Sequence, residues 1–191
     1  MDYNYIFFDC ESNSGRSHAD ILTISALFVD KNFKLIEEFN CAARLRKSRI
    51  YEIDSFLVNG MDPFEVDKHP FSNFDLTKKT NDKFVSWINK GPVLFCAHNG
   101  YQFDYMLTST HLFTNLFTWP WIFSTGNAKQ IDSLPILQNF DFYAPNTIAV
   151  ELNEKSNKTF KLGSLCRMNG FDLGDKAHTA EADTLGMSKL M

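Results

Sequence analysis

The chain has little of what would place it in a membrane, an oxidising compartment or a repeat fold. Nowhere do ~18 apolar residues run together, and residues 1–8 show no basic region followed by a long apolar stretch. Neither a membrane span nor a secretory leader is therefore expected, and the expected location is the cytoplasm. Cys10, Cys41, Cys96 and Cys166 form no Cys-x-x-Cys pair and lie mostly in apolar segments, which predicts buried thiols in a reducing environment and argues against a zinc site. Basic residues are outnumbered: 19 Lys and Arg stand against 23 Asp and Glu, for a net charge of −4 and a pI near 5.7. Proteins that grip long stretches of phosphate backbone need clustered Lys and Arg, so any nucleic acid must be held locally. No repeat, low-complexity tract or linker-like stretch breaks the 191 residues, and a single domain over 1–191 is the simplest division.

What the chain does have is apolar substance, 44% of its residues, enough for a real core. Its 19 Phe are expected mostly inside, with a few left as a stacking platform for bases. Apolar runs at 5–8, 21–29 and 33–39, the last two separated by the turn-like Asp30-Lys31-Asn32, predict a three-stranded antiparallel meander. Helical spacing at 82–89, stopped by Gly91-Pro92, precedes a buried-strand candidate at 93–96. Helices are expected at 101–112, 133–140, 162–169 and 178–190. Residues 155–158 read as a polar turn between β-like runs at 148–152 and 159–162. A strand following a helix points to the α/β class.

Three acidic elements carry the chemistry. The first strand ends Phe8-Asp9-Cys10-Glu11, and alternation along a strand sends both carboxylates to one face. Such a pair beside a buried strand is costly unless cations or donors compensate it, although acids at strand ends also cap turns. The second element runs from Cys96 through His98, Asn99, Gly100 and Phe103 to Asp104, where a buried strand gives way to a turn and helix; strand C-termini are where α/β sites assemble. Taken alone, Asp104 also reads as a helix N-terminal carboxylate, and His98 and Asn99 as turn residues. The third is His178-Thr179-Ala180-Glu181-Ala182-Asp183, in which His178 and Asp183 can face one cavity while Glu181 points away.

In the order Asp-x-Glu, Asp, His-x4-Asp, these residues resemble the DEDDh two-metal exonucleases, whose fold is ribonuclease H-like. Within that group the chain is similar to the exonuclease I family in IFFDCES, SFLVNGMDP, AHNGYQFD, IDSLPIL, TFKLGSLCRMNG and AHTAEADTLGMSKL, from Ile6 to Leu190. The three residues between Asn99 and Phe103-Asp104, and the aromatic stretch LFTNLFTWPWIF, favour that family over proofreading and three-prime repair exonucleases. The resemblance implies a mixed sheet flanked by helices and 3′→5′ hydrolysis of single-stranded DNA with two divalent cations, Mg2+ or Mn2+. It makes Asp9 the shared ligand, Glu11 and Asp183 ligands of one ion, Asp104 a ligand of the other, and His178 the general base.

It also implies substrate contacts from Ser12, Asn99 and Phe103, and a single-strand DNA-binding protein as partner. For Ser12 a turn role stands equally beside the nucleotide role; Asp132 reads either as a position near the site or as a helix cap. Members of the family carry further domains, so 1–191 corresponds to their N-terminal catalytic part. Ser12-Asn13-Ser14-Gly15 replaces the family's threonine-containing turn, which puts its handling of the terminal sugar in question. An RNA exonuclease of the same fold and an inactive strand-binding module are the rival functions.

Overall fold

A computed structural model describes the chain except residues 1, 17, 50–51, 117–119, 124–125, 172 and 175–177. Its centre is a five-stranded mixed sheet in the order β3-β2-β1-β4-β5. Strands β1 (Asn4–Ser12), β2 (Ile21–Val29) and β3 (Leu35–Ala42) form the expected antiparallel meander. Asp30 turns β2 into β3, its carboxylate accepting the backbone N–H groups of Asn32 and Lys34 at 2.8 and 2.9 Å. On the other side of β1, β4 (Val93–Ala97) and then β5 (Ala128–Asp132) pair in parallel.

The sheet is covered on both faces, so the middle of β1, residues 5–8, and most of β2 are apolar. On β1, Ile6, Phe8 and Cys10 join the larger core, which includes residues of α3 (Asn73–Ile88) and α4 (Asp104–Leu116). There Phe8 lies within 6.1 Å, centroid to centroid, of Phe84, Phe95, Tyr105 and Phe123. Phe7 points the other way, into a second core closed by α6 (Leu162–Met168) and α7 (Ala180–Leu190) through Cys166 and Met187. Burial of such side chains contributes about 1.5–3 kcal/mol each. All four cysteines are free thiols and buried.

The expectation for phenylalanine needs correction. Phe7, Phe8, Phe28, Phe56, Phe84, Phe95 and Phe123 are buried, but an equal number, Phe33, Phe64, Phe71, Phe74, Phe113, Phe140 and Phe142, are exposed. The exposed ones sit on helix faces and turns directed away from the sheet, where composition alone cannot place them. Of the aromatic stretch at 112–123, residues 117–119 lie outside the described residues.

Several boundaries also move. The helix expected at 82–89 begins at Asn73, because Ser72 and Asp75 form a reciprocal capping box. The last helix starts at Ala180 rather than 178, since Thr179 caps it. The fourth starts at Asp104, after a turn at 101–103, and runs on to Leu116. The β-like runs at 148–152 and 159–162 shrink to a two-residue pair, β6 (Glu151–Leu152) with β7 (Lys158–Thr159). Four elements carried no sequence expectation: α1 (Ile53–Asn59), α2 (Pro63–Asp67), the short 3-10 helix Pro120–Phe123 and β5. α1 ends at Gly60 in the left-handed region (φ 66°), and α2 opens on an Asp62 cap with Pro63 in its first turn. α5 (Ser133–Tyr143) follows β5 directly. Among the described residues no helix is long and apolar enough to cross a membrane.

Candidate active site

Asp9 and Glu11 leave β1 on the face of Phe7, opposite Cys10, as strand alternation requires. That face is covered by α7. Met187 anchors the helix in the second core, and Thr184 donates to the Ser25 carbonyl at 3.4 Å. At Gly186 a Cβ would lie 2.7 Å from the Cys166 sulfur, so α7 packs against α6 at a distance only glycine allows. Thr179 caps the helix by accepting the Ala182 N–H, and Asp183 falls in its first turn. The result is convergence: one carboxylate oxygen from each of Asp9, Glu11 and Asp183 lies within 4.8 Å of the others.

Asp104 approaches from the far side of β1. Its Oδ1 accepts the Cys10 backbone N–H at 3.0 Å, which fixes it behind Asp9 without joining it to the group of three. The turn that delivers it is tightly specified. Asn99 adopts φ 59°, and a Cβ at Gly100 would meet the Ala97 Cβ at 2.4 Å. Asp132 accepts the N–H groups of Asn99 (2.8 Å), Tyr101 (3.1 Å) and Leu134 (3.0 Å), bracing this turn while capping α5. Both of its sequence readings are met in the structure: it caps α5, and its charge bears on Asp104. His98 is more than a turn residue: its ring nitrogens lie 2.9 Å from the Ser133 hydroxyl and 2.8 Å from the Phe160 carbonyl oxygen, tying the β4 end to the start of α5 and to the chain before α6.

All four acids are raised above their ordinary range. Burial raises Asp9 well above the usual carboxylate range, and the charges of Asp104, Glu11 and Asp183 add to it. Glu11 is pushed up to about 8, first by burial and then by Asp183 and Asp104, with a hydrogen bond from Asn59 acting in the opposite sense. Asp104 rises to about 7, mainly through burial. Asp183 is raised by burial, opposed by the backbone N–H and the charge of His178. His178 itself is exposed, adopts φ 69° and donates its N–H to Asp183 Oδ1 at 3.4 Å, directly after the undescribed residues 175–177. Oxygen donors concentrated at a point where their own negative charge is unfavourable are the donor set that a hard divalent cation fits.

Beside the carboxylates opens a cavity of about 410 Å3. Glu11, Ser12, Asn59 and Phe103 line it, with Glu52, Asp54, Ser55 and Val58 on its outer wall. Ser12 is buried and its hydroxyl donates to the Ser14 carbonyl at 2.6 Å, so it both holds the turn and faces the cavity. Asn99 is not on the wall; its contact is the backbone bond to Asp132. Asn59 had no place among the sequence candidates although it lies in the segment SFLVNGMDP. It is buried, donates to the Ser12 carbonyl at 3.3 Å and reaches Glu11 from the end of α1. An amide at a helix end, just before a glycine, gives no sequence sign of facing a carboxylate 48 positions earlier in the chain; only the docking of α1 against the β1 end brings it there.

Compared with known proteins, the chain is 25% identical over 198 residues to exodeoxyribonuclease I of Buchnera aphidicola subsp. Schizaphis graminum, matching all of this chain and 39% of that one. Exonuclease I of E. coli in complex with a dA16 oligonucleotide superposes with a TM-score of 0.89 at 19% identity, over 98% of this chain and 40% of the other. Its fold is that of exonuclease I. A zinc-bound E. coli exonuclease I–single-stranded DNA complex gives 0.88 at 19% identity, and an SSB/exonuclease I structure with an inhibitor 0.84 at 17%, each over 98% of this chain and 39% and 41% of theirs. The chain thus spans about two fifths of the length of these relatives and shares their ribonuclease H-like fold. No protein-family model matches it.

Proposed function

We propose that this chain is a 3′→5′ exonuclease that hydrolyses single-stranded DNA from its 3′ end, and that residues 1–191 form one catalytic domain. The observation that carries the reading is the meeting of Asp9, Glu11 and Asp183 within 4.8 Å, in a sheet whose fold is that of exonuclease I. Asp9, Glu11 and Asp183 would hold one divalent cation, Mg2+ or Mn2+, and Asp9 with Asp104 a second. Bound there, the cations supply charge neutralisation and Lewis acidity toward the phosphodiester.

The chain's own groups do the rest. Ser12 and Phe103 line the cavity in which the terminal nucleotide is placed, its base against the ring and its sugar toward the Ser12 turn. Asn99 acts indirectly, by shaping the turn ahead of Asp104. His178, at the open rim and tied to Asp183, takes the proton of the attacking water as its oxygen bonds to phosphorus. The bond from phosphorus to the O3′ of the preceding nucleotide breaks, releasing a nucleoside 5′-monophosphate and a strand one unit shorter. The proposed macromolecular partners are single-stranded DNA and a single-strand DNA-binding protein, in cytoplasmic DNA repair or turnover.

The test is digestion of a 5′-labelled single strand with Mg2+. A ladder shortening from the 3′ end is expected, abolished by EDTA or Asp9→Ala. His178→Ala is expected to slow release by about 10²–10⁴-fold while Mn2+ affinity is largely kept. An Asp9→Ala variant as active as the parent would refute the site. Faster digestion of a matched RNA strand would overturn the choice of DNA.

A further inference from the structure

Glu11 stands where its strand loses regular pairing. The β1–β2 register slips between Glu11 and Ser12, so that Glu11 is opposite Thr23 but Ser12 is opposite Ile21. A slip of this kind bends a strand and re-aims the side chain beside it, and the chain that follows is no longer fixed by the ladder. Asp104 is held by the Cys10 N–H and Asp183 by that of His178. Glu11, with one more side-chain torsion than an aspartate, needs its hold from elsewhere.

α1 supplies it by clasping the chain directly after Glu11 with both its ends. The backbone N–H of Glu52, the N-cap, donates to the Asn13 carbonyl at 3.3 Å, and the Asn59 side-chain amide donates to the Ser12 carbonyl at 3.3 Å. Between them Phe56 is buried in a small core with Leu22 and Leu45, while Ile53, Leu57 and Val58 stay exposed. The amide of Asn59 can face only one way. Gly60, in the left-handed region, turns the chain so that the Met61 N–H donates to Asn59 Oδ1 at 3.3 Å, which leaves the nitrogen facing β1. That nitrogen also hydrogen-bonds the Glu11 carboxylate, and both residues line the cavity beside the carboxylates. We infer that Asn59 is a positioning residue for the metal site, its amide aiming the Glu11 carboxylate at the point it shares with Asp9 and Asp183; this rests on the function proposed above. A neutral donor suits the place, because it orients Glu11 without competing for it as a lysine or arginine would. Removing such a partner of a ligating group weakens metal binding about 10–100-fold.

The experiment is a Mn2+ titration of the whole chain without DNA, followed by the electron paramagnetic resonance of the free ion. Wild type is compared with Asn59→Leu, which matches the amide in size, with the smaller Asn59→Ala in case leucine does not fold, and with Phe56→Leu, which loosens α1 without touching Glu11. The Mn2+ dissociation constant should rise about 10–100-fold in the Asn59 variants and stay unchanged in Phe56→Leu. Nucleotide release from a 5′-labelled single strand by the Asn59 variants should recover at saturating Mn2+, with kcat returning close to that of wild type. An Asn59 variant, folded by circular dichroism, that binds Mn2+ as tightly as wild type would overturn the inference. So would an equal loss in Phe56→Leu, which would assign the effect to the docking of α1 as a whole, or a kcat that stays low at saturating Mn2+. Wild type that binds no Mn2+ would instead refute the metal site on which the inference rests.

Discussion

Glu11 and Asp104 illustrate how a site built for cations behaves without them. In the folded, metal-free chain Glu11 keeps its proton to about pH 8 and Asp104 to about pH 7, whereas on unfolding they return toward their ordinary values of 4.5 and 3.8. Between those limits the folded state binds more protons than the unfolded one, so stability must fall as pH rises. Thermal melts of the EDTA-treated protein should show Tm decreasing from pH 5 to pH 8, and added Mn2+ should raise Tm more at pH 8 than at pH 5. A metal-free Tm that climbs over this range would contradict the charge arrangement. Asp132 tests the site's support in a different way. Asp132→Ala leaves three backbone N–H groups without their acceptor and should cost about 3 kcal/mol, read as a lowered urea midpoint.

At the scale of elements, what the sequence disclosed depended on how locally each element is specified. The meander was legible because its turn chemistry, centred on Asp30, and its apolar runs are contiguous. The placing of Asp9 and Glu11 on one face, and of Asp104 at a helix start, followed from periodicity alone. β5 was not legible: Ala-Lys-Gln-Ile-Asp has no alternating apolar pattern, and becomes a strand only by pairing with β4. α1 was missed because Ile53, Leu57 and Val58 are exposed, which erases the amphipathic signal, and with α1 went Asn59. The turn between β4 and α4 gives the sharpest prediction at this scale. Gly100→Ala brings a Cβ to 2.4 Å from Ala97 and 2.9 Å from the Tyr105 ring, contacts that require the turn to shift. It should cost about 1–3 kcal/mol and, by displacing Asp104, lower nucleotide release more than it lowers Tm would explain. Retained activity at full stability would show that the turn does not set Asp104.

For the whole molecule, charge decides how a strand can be held. Net charge is −4, and the arginines after β3 are engaged internally: Arg46 and Arg49 face the buried Asp20, and Arg44 holds the carbonyls of residues 69 and 70; Arg16, between β1 and β2, pairs with Glu52. With acids outnumbering bases, the grip should be confined to one or two phosphates. Binding of a single-stranded 20-mer should therefore weaken with salt along a slope of only about −1 to −2 in log K against log salt concentration. A slope steeper than about −4 would contradict a local grip. The proposed function depends on one point, that Asp9, Glu11 and Asp183 meet in order to hold a divalent ion. Anomalous diffraction from Mn2+-soaked crystals addresses it directly. The predicted result is a manganese peak among the three carboxylates, with a second shared through Asp9; saturating Mn2+ that leaves the three carboxylates without a peak would contradict the account.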